Sequence, residues 1–244
     1  MRVMWCGLVW LFHVAVVQAA QPITLFCYQH KPPYVIDYTH QKGLYFDLAE
    51  RLEELLPAYD FSIRDIPRRR LDRQLADGKL QGLVLGVSSG WFKNSGNYSF
   101  TEPFIEDANM LVSRSNGEAS RLTLASLGGH RLGLVAGHHY PELEQALQGG
   151  TVSRQDSVNE RVNLERLQRG WIDATVVGRR TLEFFWLERP SLSEQVFVAQ
   201  PPLNRYTRHL LVPSAYSALL PDLNRAIKSL GEDQAWQAKL ETYR

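Results

Sequence analysis

Sulfur is scarce in this chain and surplus charge is absent. Of its 244 residues only two are cysteine and three methionine. Cys6 falls in an N-terminal apolar run, so beyond that run Cys27 stands alone; an internal disulfide is excluded there, and stability has to come from buried apolar surface. A hydrophobic fraction of 44% makes that feasible. Lysine and arginine total 27 against 26 aspartate and glutamate. That balance offers no basic face for nucleic acid or for a membrane surface. No low-complexity segment interrupts the chain. No apolar run reaches the roughly 20 residues that a spanning helix needs. No cysteine pair and no histidine at i, i+4 completes a tetrahedral metal set, so His138 and His139, adjacent and diverging, are not read as zinc ligands.

The N-terminus reads as a secretory leader over residues 1–19. Met1-Arg2 is a minimal positive start, Val3 to Val17 is nearly all apolar but broken by His13, and Val17-Gln18-Ala19 offers small residues for cleavage. Val3-Met4-Trp5 lacks the small residues that lipid attachment at Cys6 would require. The expected location is the periplasm. Roughly 225 residues remain after cleavage, enough for one large or two small domains.

Two copies of one pattern follow. The first runs from a strand at Ile23–Tyr28 through a rigid Pro32-Pro33-Tyr34 turn into a helix whose Leu48, Leu52, Leu55 and Leu56 share one face. A strand at Phe61–Ile66, a helix around Leu71 and Leu75 closed by Gly78, and a strand at Leu83–Val87 complete a βαβαβ unit. The second opens with a strand at Arg131–Val135. It turns through Gly137-His138-His139-Tyr140 and enters a helix with Pro141 at its first position. A strand near Val152, a helix over residues 157–169 ended by Gly170, and a strand at Ile172–Val177 follow. Asn109–Ser113 reads as a connecting strand. His209–Val212 and a helix carrying Leu219, Leu223, Ile227 and Leu230 close the chain. The class is α/β, with two lobes facing one another across a cleft.

On four motifs taken in order, the chain resembles the periplasmic solute-binding proteins of family 3, which serve polar amino-acid ABC transporters. These are the Pro-Pro-Tyr turn with Gly43-Leu44-Tyr45-Phe46-Asp47-Leu48-Ala49, Phe100-Thr101-Glu102-Pro103-Phe104, Leu127-Gly128-Gly129-His130-Arg131-Leu132-Gly133-Leu134, and Leu167-Gln168-Arg169-Gly170-Trp171-Ile172-Asp173-Ala174. The resemblance spans the whole mature length. It implies a type II periplasmic binding fold, with one lobe from residues 20–110 and 206–244 and the other from 111–205. It also implies a monomer that closes on a small-molecule solute by hinge motion and delivers it to an inner-membrane ABC permease, without cofactor or metal.

Site candidates follow from the same two sources. Tyr34, Trp91 and Phe92 form an aromatic wall whose alternative is ordinary packing. Ser88 supplies a hydrogen-bonding hydroxyl on the first ligand loop. Gly137, His138 and Tyr140 form the second ligand loop ahead of a helix, where free N–H groups favour an anion. The resemblance also implies an arginine six residues before Phe100 to grip a carboxylate, and an acid just past the Asp-Ala run to hold an ammonium. Those positions are Asn94 and Gly178 here, so the usual zwitterion clamp is missing on both sides. Arg68, Arg69, Arg70, Arg179 and Arg180 are the cations available instead, with Arg70 and Arg179 the chosen candidates for a carboxylate-bearing solute.

Two enzyme readings compete with binding. Gly86-Val87-Ser88-Ser89-Gly90 fits G-x-S-x-G after a strand, but a nucleophile elbow needs a helix immediately after it, and Lys93-Asn94-Ser95-Gly96-Asn97 reads as a loop. Some relatives on this fold are dehydratases of prephenate-like acids. That chemistry needs a general acid, and Asp47, Glu102 and Asp173 are the motif-linked carboxylates, with Asp47 and Asp173 better suited to fold anchors. A third reading is a receptor that presents its ligand to a separate membrane sensor.

Overall fold

A computed structural model describes residues 19–92 and 96–244. The first half builds β1 (Gln21–Cys27), α1 (Leu44–Leu55), β2 (Tyr59–Asp65), α2 (Arg68–Ala76) and β3 (Leu83–Val87). β1 is central, pairing in parallel with β2 on one side and β3 on the other. After the short β4 (Tyr98–Phe100) comes a ten-residue strand, β5 (Ile105–Arg114). The second half repeats the design with β6 (Arg131–Val135), α3 (Glu144–Gln148), β7 (Ser153–Ser157), α4 (Glu160–Gln168) and β8 (Ala174–Gly178). β6 is central here and pairs in parallel with β7 and β8. Each unit therefore puts its first strand between its second and third.

The rest of the chain ties the two units together. α5 (Arg179–Glu188), α6 (Ser191–Gln195) and β9 (Val196–Val198) precede a second ten-residue strand, β10 (Asn204–Pro213), and the helices α7 (Leu220–Ser229) and α8 (Gln234–Glu241). β10 runs antiparallel to β5 over Asn204–Arg208 and then to β3 and β4. β5 continues onto β8 and β9. Apart from β4 and β9, the strand order is β2-β1-β3-β10-β5-β8-β6-β7. β5 and β10 are thus the two long strands shared by both units.

Buried apolar side chains follow the same division. Two clusters hold residues between 23 and 105 together with 210–240, and two others lie wholly within 108–199. In α1, Leu44, Tyr45, Leu48, Ala49 and Leu52 are buried, whereas Leu55 and Leu56 are only partly covered. Each fully buried leucine is worth roughly 1.5–3 kcal/mol.

The Pro-Pro-Tyr turn feeds α1 by a backbone device. Leu44 N and Tyr45 N donate to the carbonyls of Pro33 and Tyr34 at 2.9 and 3.0 Å. No side chain caps this helix. Gly43 has φ 130°, and a Cβ there would stand 2.7 Å from the Tyr34 carbonyl oxygen, so only glycine lets the turn fold back so closely. Among the described residues, no helix is long and apolar enough to cross a membrane.

Candidate ligand-binding cleft

The two units meet along a line where Lys31, Pro32 and Tyr34 of the turn face the start of α4 and α5. Lys31 Nζ donates to Glu160 Oε1 at 2.8 Å, and Thr181 Oγ1 donates to the Pro32 carbonyl at 2.7 Å. Glu160 is the first residue of α4, held there by Asn159, whose side chain accepts from Val162 N. Its carboxylate favours the positive end of the helix. A Cβ built at Gly178 would lie 3.0 Å from Lys31 Nζ and 3.5 Å from Asp107 Oδ2. The position where the resemblance implies an acid is therefore bare and faces the ammonium of Lys31. Glu160 reaches the same place from the neighbouring helix, within 3.4 Å of Gly178 N.

Arg208 lies at the floor, fully buried on β10. Its Nη1 donates to the Gly86 carbonyl (2.9 Å), Gln29 Oε1 (3.1 Å) and Tyr45 OH (3.3 Å); its Nη2 donates to Tyr206 OH (3.2 Å) and Asp107 Oδ2 (3.4 Å). Gly86, at φ 71°, carries no Cβ because one would fall 1.6 Å from the Tyr45 hydroxyl oxygen. The guanidinium stands 4.0 Å from the Tyr34 ring centre, 5.3 Å from Tyr206 and 5.4 Å from Trp91. Burial opposes its charge, but the surrounding tyrosine oxygens and Asp107 hold its pKa above the ordinary arginine value. Tyr34 OH in turn donates to Asp107 Oδ2 at 2.6 Å. Burial alone would push the Asp107 carboxyl up; Arg208, Lys31 and the Tyr34 hydroxyl hold it below the usual carboxylate range.

Two buried polar atoms in this cleft have no hydrogen-bond partner among the described residues: Arg208 Nε, a donor, and Glu160 Oε2, an acceptor. Unpaired groups of opposite polarity on either side of one closed seam are costly. His138 also belongs to this environment. Burial first, then the charges of Lys31, Arg68 and Arg208, lower its pKa against the opposing pull of Glu160, so the imidazole is neutral at pH 7.

The expected site residues divide as follows. Tyr34, Trp91 and His138 come together around Arg208 and Lys31. Ser88 is buried at the end of β3, and the three-residue 3₁₀ turn Ser89–Trp91 follows it rather than an α-helix. Phe92 packs edge-on against Tyr28 and Tyr98, beneath the Arg68 guanidinium. Arg70 is exposed on α2, whereas Arg68 is the helix cation that reaches the cleft rim, donating to the Trp91 carbonyl at 3.3 Å. Gly137 is exposed at φ 76° with nothing near its missing Cβ. Tyr140 is buried in the second core, its hydroxyl accepting from Val135 N at 3.3 Å. Arg179 lies away from the cleft, beside α7 and α8. Asn94 lies outside the described residues. Asp47 and Asp173 are bound up in anchoring: Asp47 accepts from Lys239 and from the Tyr243 hydroxyl, and Asp173 from Arg131 N, Nε and Nη2. Among the described residues no group of His, Cys, Asp and Glu is placed to hold a metal ion.

Arg208, Asp107 and Glu160 were not among the expected site residues. Arg208 had a signal: Leu210 and Val212, two and four positions on, face the core, so alternation along β10 places Arg208 on that buried face.

No family model and no curated protein matches the sequence. Solved structures do match the fold. An ancestral arginine-binding protein bound to arginine superposes with a TM-score of 0.71 at 16% identity, over 92% of this chain and 99% of that one. The GluR0 ligand-binding core from Nostoc punctiforme, in complex with L-glutamate, gives 0.71 at 16% identity, over 91% and 99%. The periplasmic VFT2 domain of Bordetella pertussis BvgS gives 0.68 at 16% identity, over 91% and 93%. The chain has the type II periplasmic-binding-protein fold.

Proposed function

We propose that this chain is a periplasmic binding protein that captures a small carboxylate-bearing, amino-acid-like solute in the cleft between two lobes and delivers it to an inner-membrane ABC permease. The lobes are residues 20–110 with 206–244, and 111–205. The observation that carries the reading is the pair of unsatisfied buried groups: Arg208 Nε is a donor suited to a carboxylate, and Glu160 Oε2 an acceptor suited to an ammonium. Arg208 and Glu160 then do the work of the arginine and the acid that positions 94 and 178 lack. Lys31 and Arg68 add positive charge at the rim, and Trp91 and Tyr206 supply apolar contact. The solved neighbours include proteins whose names give arginine or L-glutamate as what they bind, in keeping with a zwitterionic or anionic solute. Two neighbours are named as a core or a domain, which favours, as a second reading, a receptor for a membrane sensor.

The test is a thermal-shift screen of the purified protein against amino acids, dicarboxylates, polyamines and aromatic acids. A solute at 100 times its Kd stabilises by about 2.7 kcal/mol. Carboxylate-bearing compounds should shift the melting temperature and polyamines should not. Glu160→Gln should weaken α-amino acids while sparing simple dicarboxylates. Stabilisation by polyamines alone would sink the carboxylate reading, and turnover of prephenate without any binding shift would replace transport with a dehydratase.

A further inference from the structure

A cavity of about 630 Å³ opens on the side of the molecule where α5 begins beside α7 and α8. Its size suits a small organic ligand. Its walls are of two kinds. Phe104, Ile227, Leu230, Trp236 and Leu240 present apolar surface from the first core. Arg179, Arg180, Lys228 and Arg244 bring four cations to the same space, against the exposed carboxylates of Glu102 and Glu106.

Arg180 is the unusual member. It is only 5% exposed, yet among the described residues no carboxylate lies within ion-pair distance of its guanidinium. Its side chain makes a single hydrogen bond, from Nε to the Glu106 carbonyl at 2.8 Å. Arg179 adds a buried Nε with no hydrogen-bond partner among the described residues, and Glu183 Oε1 stands 4.0 Å from it, at the outer limit of an ion pair. Buried guanidinium groups are normally paired, because an uncompensated charge out of water is strongly unfavourable. Two adjacent arginines short of partners, on the wall of a half-apolar cavity, form a receptacle for an anion with an apolar body.

We infer that this cavity is a second ligand site, which takes a small amphipathic monocarboxylate: its carboxylate on Arg179 and Arg180, its ring or short chain against Phe104 and Trp236. The cavity backs onto the β5–β10 ladder, where Phe104 N donates to the Arg208 carbonyl and Ile105 pairs with Arg208, but among the described residues none of its lining side chains hydrogen-bonds the Arg208 guanidinium or the Glu160 carboxylate. It contacts both cores, because Trp236 and Leu240 belong to the first while Arg179 and Arg180 open the helix α5 that covers the second.

Calorimetric titration of the purified protein with octanoate and with indole-3-acetate tests the inference, with octanamide as the uncharged control. Both carboxylates should bind, octanamide at least 10-fold more weakly. Arg180→Gln should weaken octanoate about 10-fold or more. Lys228→Glu, at an exposed position that does not threaten folding, should weaken it several-fold. Trp91→Ala, in the cleft, should leave octanoate binding unchanged. Equal binding of octanoate and octanamide, wild-type affinity in both Arg180→Gln and Lys228→Glu, or loss of octanoate binding in Trp91→Ala would each overturn it. Only the last would also bear on the cleft, by placing octanoate there.

Discussion

Arg208 and Arg180 are both buried arginines near the seam between the two cores, and they are treated in opposite ways. Arg208 spends its two terminal nitrogens on five acceptors drawn from five stretches of chain and lies between aromatic faces. Arg180 has one carbonyl acceptor and a cavity beside it. A charge whose partners come from the loop after β1, from α1, β3 and β5, and from its own strand β10 at once helps to define the closed arrangement of those elements. A charge left short of partners holds its desolvation cost in reserve for something that arrives later. The difference separates a guanidinium that organises the fold with its two terminal nitrogens and keeps only Nε for an anion from one that has a single protein acceptor.

The sharpest way to break that contrast is to replace each arginine with methionine, which keeps most of the side-chain volume. Arg208→Met strips Asp107 of its buried counter-charge and removes the guanidinium donor from the Gly86 carbonyl and the Gln29 amide oxygen. A loss of about 3–5 kcal/mol is expected, read as a fall in Tm of roughly 10 °C or more for a chain of this size. Arg180→Met forfeits one hydrogen bond and relieves an unpaired charge, so its cost should be about 1 kcal/mol or less. Comparable melting temperatures for the two variants would erase the distinction.

A smaller effect is expected at Tyr34→Phe. The substitution removes a buried hydroxyl that donates to Asp107 at 2.6 Å, at a cost of about 1–3 kcal/mol. It also moves the acid limb of stability. The folded-state pKa of Asp107 is depressed, so its contribution is present above the unfolded aspartate value and is lost as pH falls through the lower folded value. Without the Tyr34 hydroxyl that folded value rises, and the midpoint of acid unfolding followed by circular dichroism should move to higher pH. An unchanged midpoint would mean that Arg208 and Lys31 alone set the carboxylate.

Much of the frame was legible in the sequence. The strands at Leu83–Val87 and Arg131–Val135 stand where apolar runs bounded by glycine or polar turns place them, and the two βαβαβ units were visible for the same reason. β5 and β10 begin several residues earlier than their apolar cores suggest. Their first halves, Ile105–Ala108 and Asn204–Arg208, carry charged side chains that read as loop, and of these only Asp107 and Arg208 are buried once the β5–β10 ladder forms. α5 was not read as a helix at all: Gly178 offers no side-chain cap, and Arg179-Arg180 masks the apolar face made by Leu182 and Phe185. The cleft was harder still. Tyr34 was recognisable from the Pro-Pro turn, but its partner Asp107 is 73 residues away and its neighbour Arg208 further still. An arginine whose terminal nitrogens are bonded by four distant segments has no local signature beyond its place in the alternation of a strand.

The smallest effect, and the one that bears most closely on cleft against cavity, concerns pH. His138 faces Lys31, Arg68 and Arg208, with Glu160 opposing them, and its pKa lies below the usual histidine value chiefly because it is buried. An unfolded chain therefore binds a proton at His138 at a pH where the folded chain does not. The sign follows: stability is fully present above the unfolded value, near 6.5, and declines as pH drops through that value toward the lower folded one. His138→Gln should flatten this part of the profile. A carboxylate placed in the cleft favours the imidazolium and should raise the folded pKa, so solute affinity should strengthen as pH falls from 7 to 5.5 in the wild type and not in His138→Gln. Octanoate in the cavity beside α5, α7 and α8, whose lining includes no histidine, should show no such trend. A matching pH dependence for both ligands would place them in one site and dissolve the separation of cleft from cavity.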